Sequence, residues 1–374
     1  MENYNKIAKN IIANSLKLKQ GDKLYISVRG LSQYPLGNCL FETAKRQNLK
    51  IKKYFRDNIK FLNFWENASK KDVEEFINWE TEIIRNCDGV ALLRDNINLK
   101  MSDNAIEKYN YYFREVHQKI RFLKKWVLTI VPCLEESIEN NVDLQLMTKT
   151  YLKSSSINSK KFEQALNPLF DLMNNTDKVH IISSNTDLVF SIKNQQPRKC
   201  FGEKNLPDGE ICIPPVVNSV NGYITYNVPS KRNGIVYENI YFKFENGKII
   251  EENCNHKELL TKELNIDEGA RYIGEFAIGL NPYITKPLNS ILYDEKICGS
   301  FHFTPGNSCN SNTKGNRSSL HWDLIQIQTK EYGGGEIWFD DVLIIKNGLF
   351  VLETLQHLNP KNLKKILDDK KYTN

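Results

Sequence analysis

The 374 residues contain no Cys-x-x-Cys pair, no long apolar run and no glycine-rich phosphate turn, and each absence removes a class of function. The eight cysteines, Cys39, Cys87, Cys133, Cys200, Cys212, Cys254, Cys298 and Cys309, stand apart in the sequence, which excludes a zinc knuckle and a thioredoxin-like redox pair. They read as reduced, mostly buried thiols. No stretch approaches the roughly 18 apolar residues of a membrane span. The opening Met1-Glu-Asn-Tyr-Asn-Lys6 offers no apolar run of about 7–15 residues for a secretory leader. A cytoplasmic chain with no membrane partner is expected. The strand-like Lys23–Val28 is followed by Arg29-Gly30-Leu31, with Gly37 the next glycine, so a nucleotide cofactor is not indicated. The net charge of +6 is spread over interspersed Lys and Glu, without an Arg stripe interleaved with aromatics, and no nucleic acid partner is expected.

What is present divides in two. A chain of this length suits two domains. In the first part, helical spacing of Ile7, Ile11, Ile12, Leu16 and Leu18 gives way at Gly21-Asp22 to a buried strand. A helix from Leu36 to Gln47 and strands at 51–55, 89–93, 126–131 and 178–183 follow. Strands alternating with helices predict an α/β domain with a parallel sheet over residues 1–195. After Pro197 the pattern changes to short strands between Gly, Pro and Asn turns. Segments at 222–228, 237–244 closed by Asn246-Gly247, and 336–345 closed by Asn347-Gly348 read as antiparallel strands with hairpin turns. A mostly antiparallel, β-rich domain over 196–374 is expected, ending in a solvated, Lys-rich helix face from Asn362 to Lys371. His117 and His180 have no neighbour at metal-binding spacing and read as ordinary histidines.

The chemistry gathers in the second part. Pro207-Asp208-Gly209 makes a tight turn that delivers Glu210 to the head of a strand. Glu275 lies within the apolar run Tyr272-Ile-Gly-Glu-Phe-Ala-Ile-Gly279, where a carboxylate is costly unless it is paired or metal-bound. His321 and Asp323, two apart in a strand predicted over 320–327, share one face, so a nitrogen and an oxygen ligand converge. His302 faces opposite to its neighbours Phe301 and Phe303. Glu210, Glu275 and Asp323 bring three negative charges, which two divalent cations would slightly exceed, the balance that suits a metallohydrolase.

Four stretches, Asn205-Leu-Pro-Asp-Gly-Glu210, Ile273-Gly-Glu-Phe-Ala-Ile-Gly-Leu-Asn281, Asp294-Glu-Lys-Ile-Cys-Gly-Ser-Phe-His302 and Asn316-Arg-Ser-Ser-Leu-His-Trp-Asp323, occur in the order found in thermophilic metallo-aminopeptidases. In these stretches the chain resembles the aminopeptidase S and aminopeptidase T family, with weaker similarity over most of its length. The resemblance implies that Glu210, Glu275, His302, His321 and Asp323 are metal ligands. It also implies two co-catalytic divalent ions (Zn, Co, Mn or Mg), an enclosed site, a homodimer, and hydrolysis of short peptides or a small amide substrate, with Glu210 also catalytic.

One departure stands out: the family's catalytic tyrosine, seven residues after the first histidine ligand, is Cys309 here, and no tyrosine lies between His302 and His321. Cys309 could meet a metal as a thiolate, or be carried away from the site by its loop. Generic peptidase activity is expected to be weak unless another donor, with Arg317 or His256 as candidates, fills the gap. Two other readings stay open: a ring-cleaving dioxygenase using one Fe(II), which resembles the same fold family, and a repurposed tailoring or non-catalytic homologue.

Overall fold

In the strand Lys23–Arg29, every residue from Leu24 to Val28 is buried, as in a strand covered on both faces. It pairs in parallel with Lys50–Arg56 on one side and with Gly89–Leu93 on the other. Trp126–Thr129 and the short Asn205–Leu206 complete a five-stranded parallel sheet. The computed structural model describes residues 2–95, 99–121, 125–309 and 314–369. The sheet belongs to a first unit formed by Met1–Ser159 and Gly202–Pro207. Its opening helix, Glu2–Asn10, passes into a π-turn at Ile11–Ser15 that keeps Ile7, Ile11, Ile12 and Leu16 fully buried. The predicted second helix runs over Tyr34–Arg46, with Pro35 in its first turn, where a missing N–H costs nothing. His117 lies on the helix Asp103–Arg121, but its side chain is outside the described residues.

The second unit comprises Lys160–Phe201 and Asp208–Asn374. The chain therefore divides at Ser159/Lys160, with 202–207 returning to the first unit, and not at the expected 195/196. The strand Lys178–Ser183 explains the difference. Instead of extending the parallel sheet, it folds back through a two-residue turn, with Asn185 at φ 52°, onto Thr186–Ser191. So short a turn can join only antiparallel neighbours, because a parallel pair needs a crossover. The hairpin lies in an eight-stranded sheet together with Asn221–Thr225, Tyr241–Glu245, Lys248–Asn253, Gly335–Phe339, Val342–Lys346 and Leu349–Phe350. The hairpin turns expected at Asn246-Gly247 and Asn347-Gly348 are present, all four residues at positive φ. The predicted segment 336–345 is interrupted by one more turn, where Asp340 and Asp341 both adopt positive φ. The C-terminal helix runs over Pro360–Asp368, and residues 370 and 371 of the expected Lys-rich face lie outside the described residues. Among the described residues, no helix is long and apolar enough to cross a membrane.

A second sheet in this unit orders its strands as Ile325–Ile327, Ser300–Pro305, Ile273–Gly279, Glu210–Ile213 and Arg198–Cys200, all antiparallel. Register sorts its side chains. Phe276 pairs with Phe303 and Ile213, and Ile278 with Phe301 and Ile211, which gives one apolar face. Ala277 pairs with His302 and Cys212, and Cys200 with Glu210, which gives one polar face. The apolar face meets the eight-stranded sheet through Phe190, whose ring lies 5.1 Å from Phe276 and 5.0 Å from Phe303. Buried Tyr226, just after strand Asn221–Thr225, ties the two sheets by donating its hydroxyl to the Phe303 carbonyl at 2.7 Å.

Removing that donor strands a buried carbonyl next to His302. Tyr226→Phe should lower the unfolding free energy by about 1–3 kcal/mol. Urea denaturation of the two proteins measures it, and an unchanged midpoint would show that the bond contributes nothing.

Candidate metal centre

The polar face of the five-stranded sheet is built by turns that only small residues allow. Gly209 sits at φ 142°, and a Cβ there would stand 3.0 Å from both Asn281 and the Phe162 ring. The turn therefore passes without a side chain and sets Glu210 at the head of its strand, buried. One turn residue, Asp208, is also buried.

Glu275 and His302 extend from the two central strands onto the same face, and both are buried. His302 Nε2 lies 3.6 Å from Glu210 Oε2, 3.6 Å from Glu275 Oε1 and 4.0 Å from Asp323 Oδ1. His321 Nε2 lies 3.6 Å from Glu275 Oε2 and 3.3 Å from Asp323 Oδ1. All five residues singled out in the sequence therefore converge. The predicted strand over 320–327 is shorter than expected, Ile325–Ile327, and His321 meets the sheet through an isolated bridge to Gly306, just past the strand Ser300–Pro305. The alternation of side chains nevertheless persists through Asp323 and His321.

Their surroundings orient them. His321 Nδ1 is 2.9 Å from the Asn307 carbonyl, an atom that can only accept, so Nδ1 carries the proton and Nε2 faces the carboxylates. Asn307 can approach because residue 274 is glycine: a Cβ there would stand 2.2 Å from the Asn307 oxygen. Thr304 donates to Asp323 Oδ1 at 2.7 Å. Glu210 Oε2 and His302 Nδ1 are buried with no hydrogen-bond partner among the described residues.

Burial alone would lower His302, but its contact with Glu275 and the charges of Glu210 and Asp323 push it up to about 9. His321 is raised to about 10 against the same burial, chiefly by Asp323. Asp323 is held well below the usual carboxylate range by His321 and His302, which outweigh its burial. Glu210 moves the other way, raised because its desolvation outweighs the attraction of Lys296 and His302.

Lys296 escaped the sequence reading. It is buried, with Nζ 2.7 Å from Glu210 Oε1, 2.8 Å from Glu295 Oε1 and 3.6 Å from Asp208 Oδ1. Burial would depress an ammonium, yet Glu210, Glu295 and Asp208 raise it well above its ordinary value. The signal was its setting, charged Asp294-Glu295-Lys296 flanked by Leu292-Tyr293 and by Ile297-Cys298.

Also missed was a group of thiols. All eight cysteines are free, but only four are buried, fewer than expected. Cys200, Cys212 and Cys309 gather around Ala277 on the polar face, so the loop does not carry Cys309 away. The ligand atoms of Cys212, Glu275 and Cys309 all lie within 4.8 Å of one another, as do those of Cys200, Glu210 and Cys212. His256 stacks edge-on against Tyr237 at 5.9 Å, and Arg317 is exposed with its carbonyl against Gly269. His180 Nε2 is hydrogen-bonded to Asp187 Oδ1 at 2.8 Å, the ordinary satisfied histidine that was expected.

Among known proteins, the family described as thermophilic metalloprotease (M29) matches residues 1–350. Aminopeptidase AmpS of Bacillus subtilis (strain 168) is 30% identical over 130 residues, a stretch covering 33% of this chain and 30% of that protein. The solved structure of AmpT from Thermus thermophilus has a TM-score of 0.74 at 17% identity, covering 94% of this chain and 99% of that one. A 2,5-dihydroxypyridine dioxygenase from Pseudomonas putida has a TM-score of 0.62 at 13% identity, covering 94% and 98%. At these identities the two structures show a shared fold of a parallel-sheet α/β part and an antiparallel β-rich part.

Because Lys296 faces three carboxylates, its loss should be felt throughout the cluster. Lys296→Met removes the cation and leaves buried negative charge uncompensated, at a cost of about 3–5 kcal/mol. A thermal melt in a chelator-treated buffer reads this directly, and a variant as stable as the parent would show that the ammonium is dispensable.

Proposed function

Since this chain belongs to the thermophilic metalloprotease family, we propose that it is an aminopeptidase-like hydrolase whose two divalent cations are held by Glu210, Glu275, His302, His321 and Asp323. The observation that supports this most is Glu275. Its Oε1 faces His302 and its Oε2 faces His321, each at 3.6 Å, the disposition of a carboxylate shared between two ion positions. His302 groups with Glu210 on one side, and His321 with Asp323 on the other. Charge points the same way. Asp208, Glu210, Glu275, Glu295 and Asp323 outnumber Lys296, the cation they share, and leave negative charge for bound cations to offset.

Cations at this place would supply Lewis acidity, acidifying a water and polarising a carbonyl. The chain's own residues do the rest. Lys296 fixes Glu210 Oε1, which leaves Oε2 without a hydrogen-bond partner among the described residues and turned toward His302, where it would bind an ion or, released from it, accept a proton from attacking water. His321, its side chain 40% exposed while those of the other four are 1–13% exposed, marks the side from which substrate enters. The carboxylates there favour a substrate's free α-ammonium group. Arg317, exposed four positions before His321, suits a contact to substrate rather than to an ion. Short peptides or a small amide are the proposed substrates, and a homodimer is part of the same proposal.

His321→Ala should remove most of the bound metal and the activity while preserving the fold, since His321 is the most exposed of the five. Metal analysis beside circular dichroism decides the point, and full metal content in the variant would sink the ligand set. Free dipeptides should be cleaved and N-acetylated ones should not. Equal rates on the two would rule out an aminopeptidase.

A further inference from the structure

We propose that the chain holds a separate soft-ion position in which Cys212, Cys309 and Glu275 bind a thiophilic divalent cation of the Zn²⁺ or Cd²⁺ kind, with Cys200 behind it. The polar face of the sheet builds this position from residues outside the histidines. Cys212 pairs in register with Ala277, and Cys200 with Glu210, so both thiols stand on that face. Cys309 comes back to the same place from beyond the strand Ser300–Pro305. Ala277, fully buried, is the small side chain between them and leaves the space into which the sulfurs turn.

Geometry and charge both fit a cation. Metal–sulfur bonds of about 2.3 Å in a tetrahedron place two sulfurs roughly 3.8 Å apart, and the donor atoms of Cys212, Glu275 and Cys309 all lie within 4.8 Å of one another. Thiolates select soft or borderline ions over Mg²⁺ and Mn²⁺. Two thiolates and Glu275 bring three negative charges. Arg198, whose Nη1 donates to the Cys309 carbonyl at 3.3 Å and whose own strand position pairs with Cys212, brings one positive charge. A divalent cation makes that set neutral. Each thiol gives its proton to solvent as its sulfur–metal bond forms. A carboxylate oxygen of Glu210 lies within 4.8 Å of the Cys200 and Cys212 sulfurs, which places Cys200 on the side of the position away from Cys309 and next to a further oxygen donor.

The proposal rests on the hydrolase reading only through Glu275, which would serve both the sulfur position and the histidines. A soft ion there competes for Glu275 with the ions held by His302 and His321, so the thiols tune which metal the centre accepts.

Cobalt separates the two sites, because sulfur-to-cobalt charge transfer absorbs in the near ultraviolet whereas oxygen and nitrogen ligands give only the visible bands. The full-length protein, kept reduced, is loaded with Co²⁺. A charge-transfer band is expected in the parent and in His321→Ala, lost in Cys212→Ser and in Cys309→Ser, and kept in Cys254→Ser. Bound cobalt with no charge-transfer band in the parent overturns the thiol site and leaves the hydrolase site standing. A band together with unchanged cobalt content in His321→Ala does the reverse. Should the serine variants not fold, modification of the parent's thiols with and without Cd²⁺ gives the same answer. Protection of two thiols by Cd²⁺ is expected, and equal modification overturns the proposal.

Discussion

Everything in the second unit answers to one constraint, the burial of an excess of carboxylates on one face of a five-stranded sheet. Isolated buried charge costs far more than a domain's whole net stability, so such a face survives only if cations and hydrogen bonds compensate it. Lys296 reaches three of the carboxylates, and His302 and His321 reach the others. The opposite face solves a different problem, packing Phe190, Phe276 and Phe303 against one another. A period of two along each strand lets one sheet do both, which is why His302 stands between Phe301 and Phe303 in sequence and away from them in space.

The five residues of the proposed metal centre were legible because they violate their surroundings. Glu275 in an apolar strand and His302 between aromatics are expensive placements, and each is explained by the other once the register aligns them. The N-terminal parallel sheet was legible for the opposite reason, that Leu24–Val28 and Gly89–Leu93 are plain apolar runs between helices. Periodicity could not decide where Lys178–Ser183 belonged. An alternating strand reads the same in either sheet, and the deciding feature was a turn of two residues at Ser184-Asn185.

Lys296 and the gathering of Cys200 and Cys212 around Cys309 were invisible for a further reason. Lysine is so often solvated, and cysteine so often an inert small hydrophobe, that neither type signals function by itself. What distinguishes Lys296 is the arrival of Asp208 and Glu210 from some ninety residues earlier in the chain, and what distinguishes Cys309 is Cys212. Both contacts are long-range and are made only when the strands pair. The position where the related enzymes are expected to carry a phenol thus holds a sulfur in a sulfur-rich corner, a change of chemistry as well as of reach.

The isolated bridge at His321 has a kinetic consequence. Glu210, Glu275 and His302 sit in strands whose hydrogen bonds must break before they can move, whereas His321 is held by one bridge and by the Asn307 carbonyl. In the proposed centre, ions would enter and leave by the swing of one imidazole, with the sheet intact. Metal exchange there would proceed on the timescale of a loop, while the other proposed ligands keep the shape that the next ion would find.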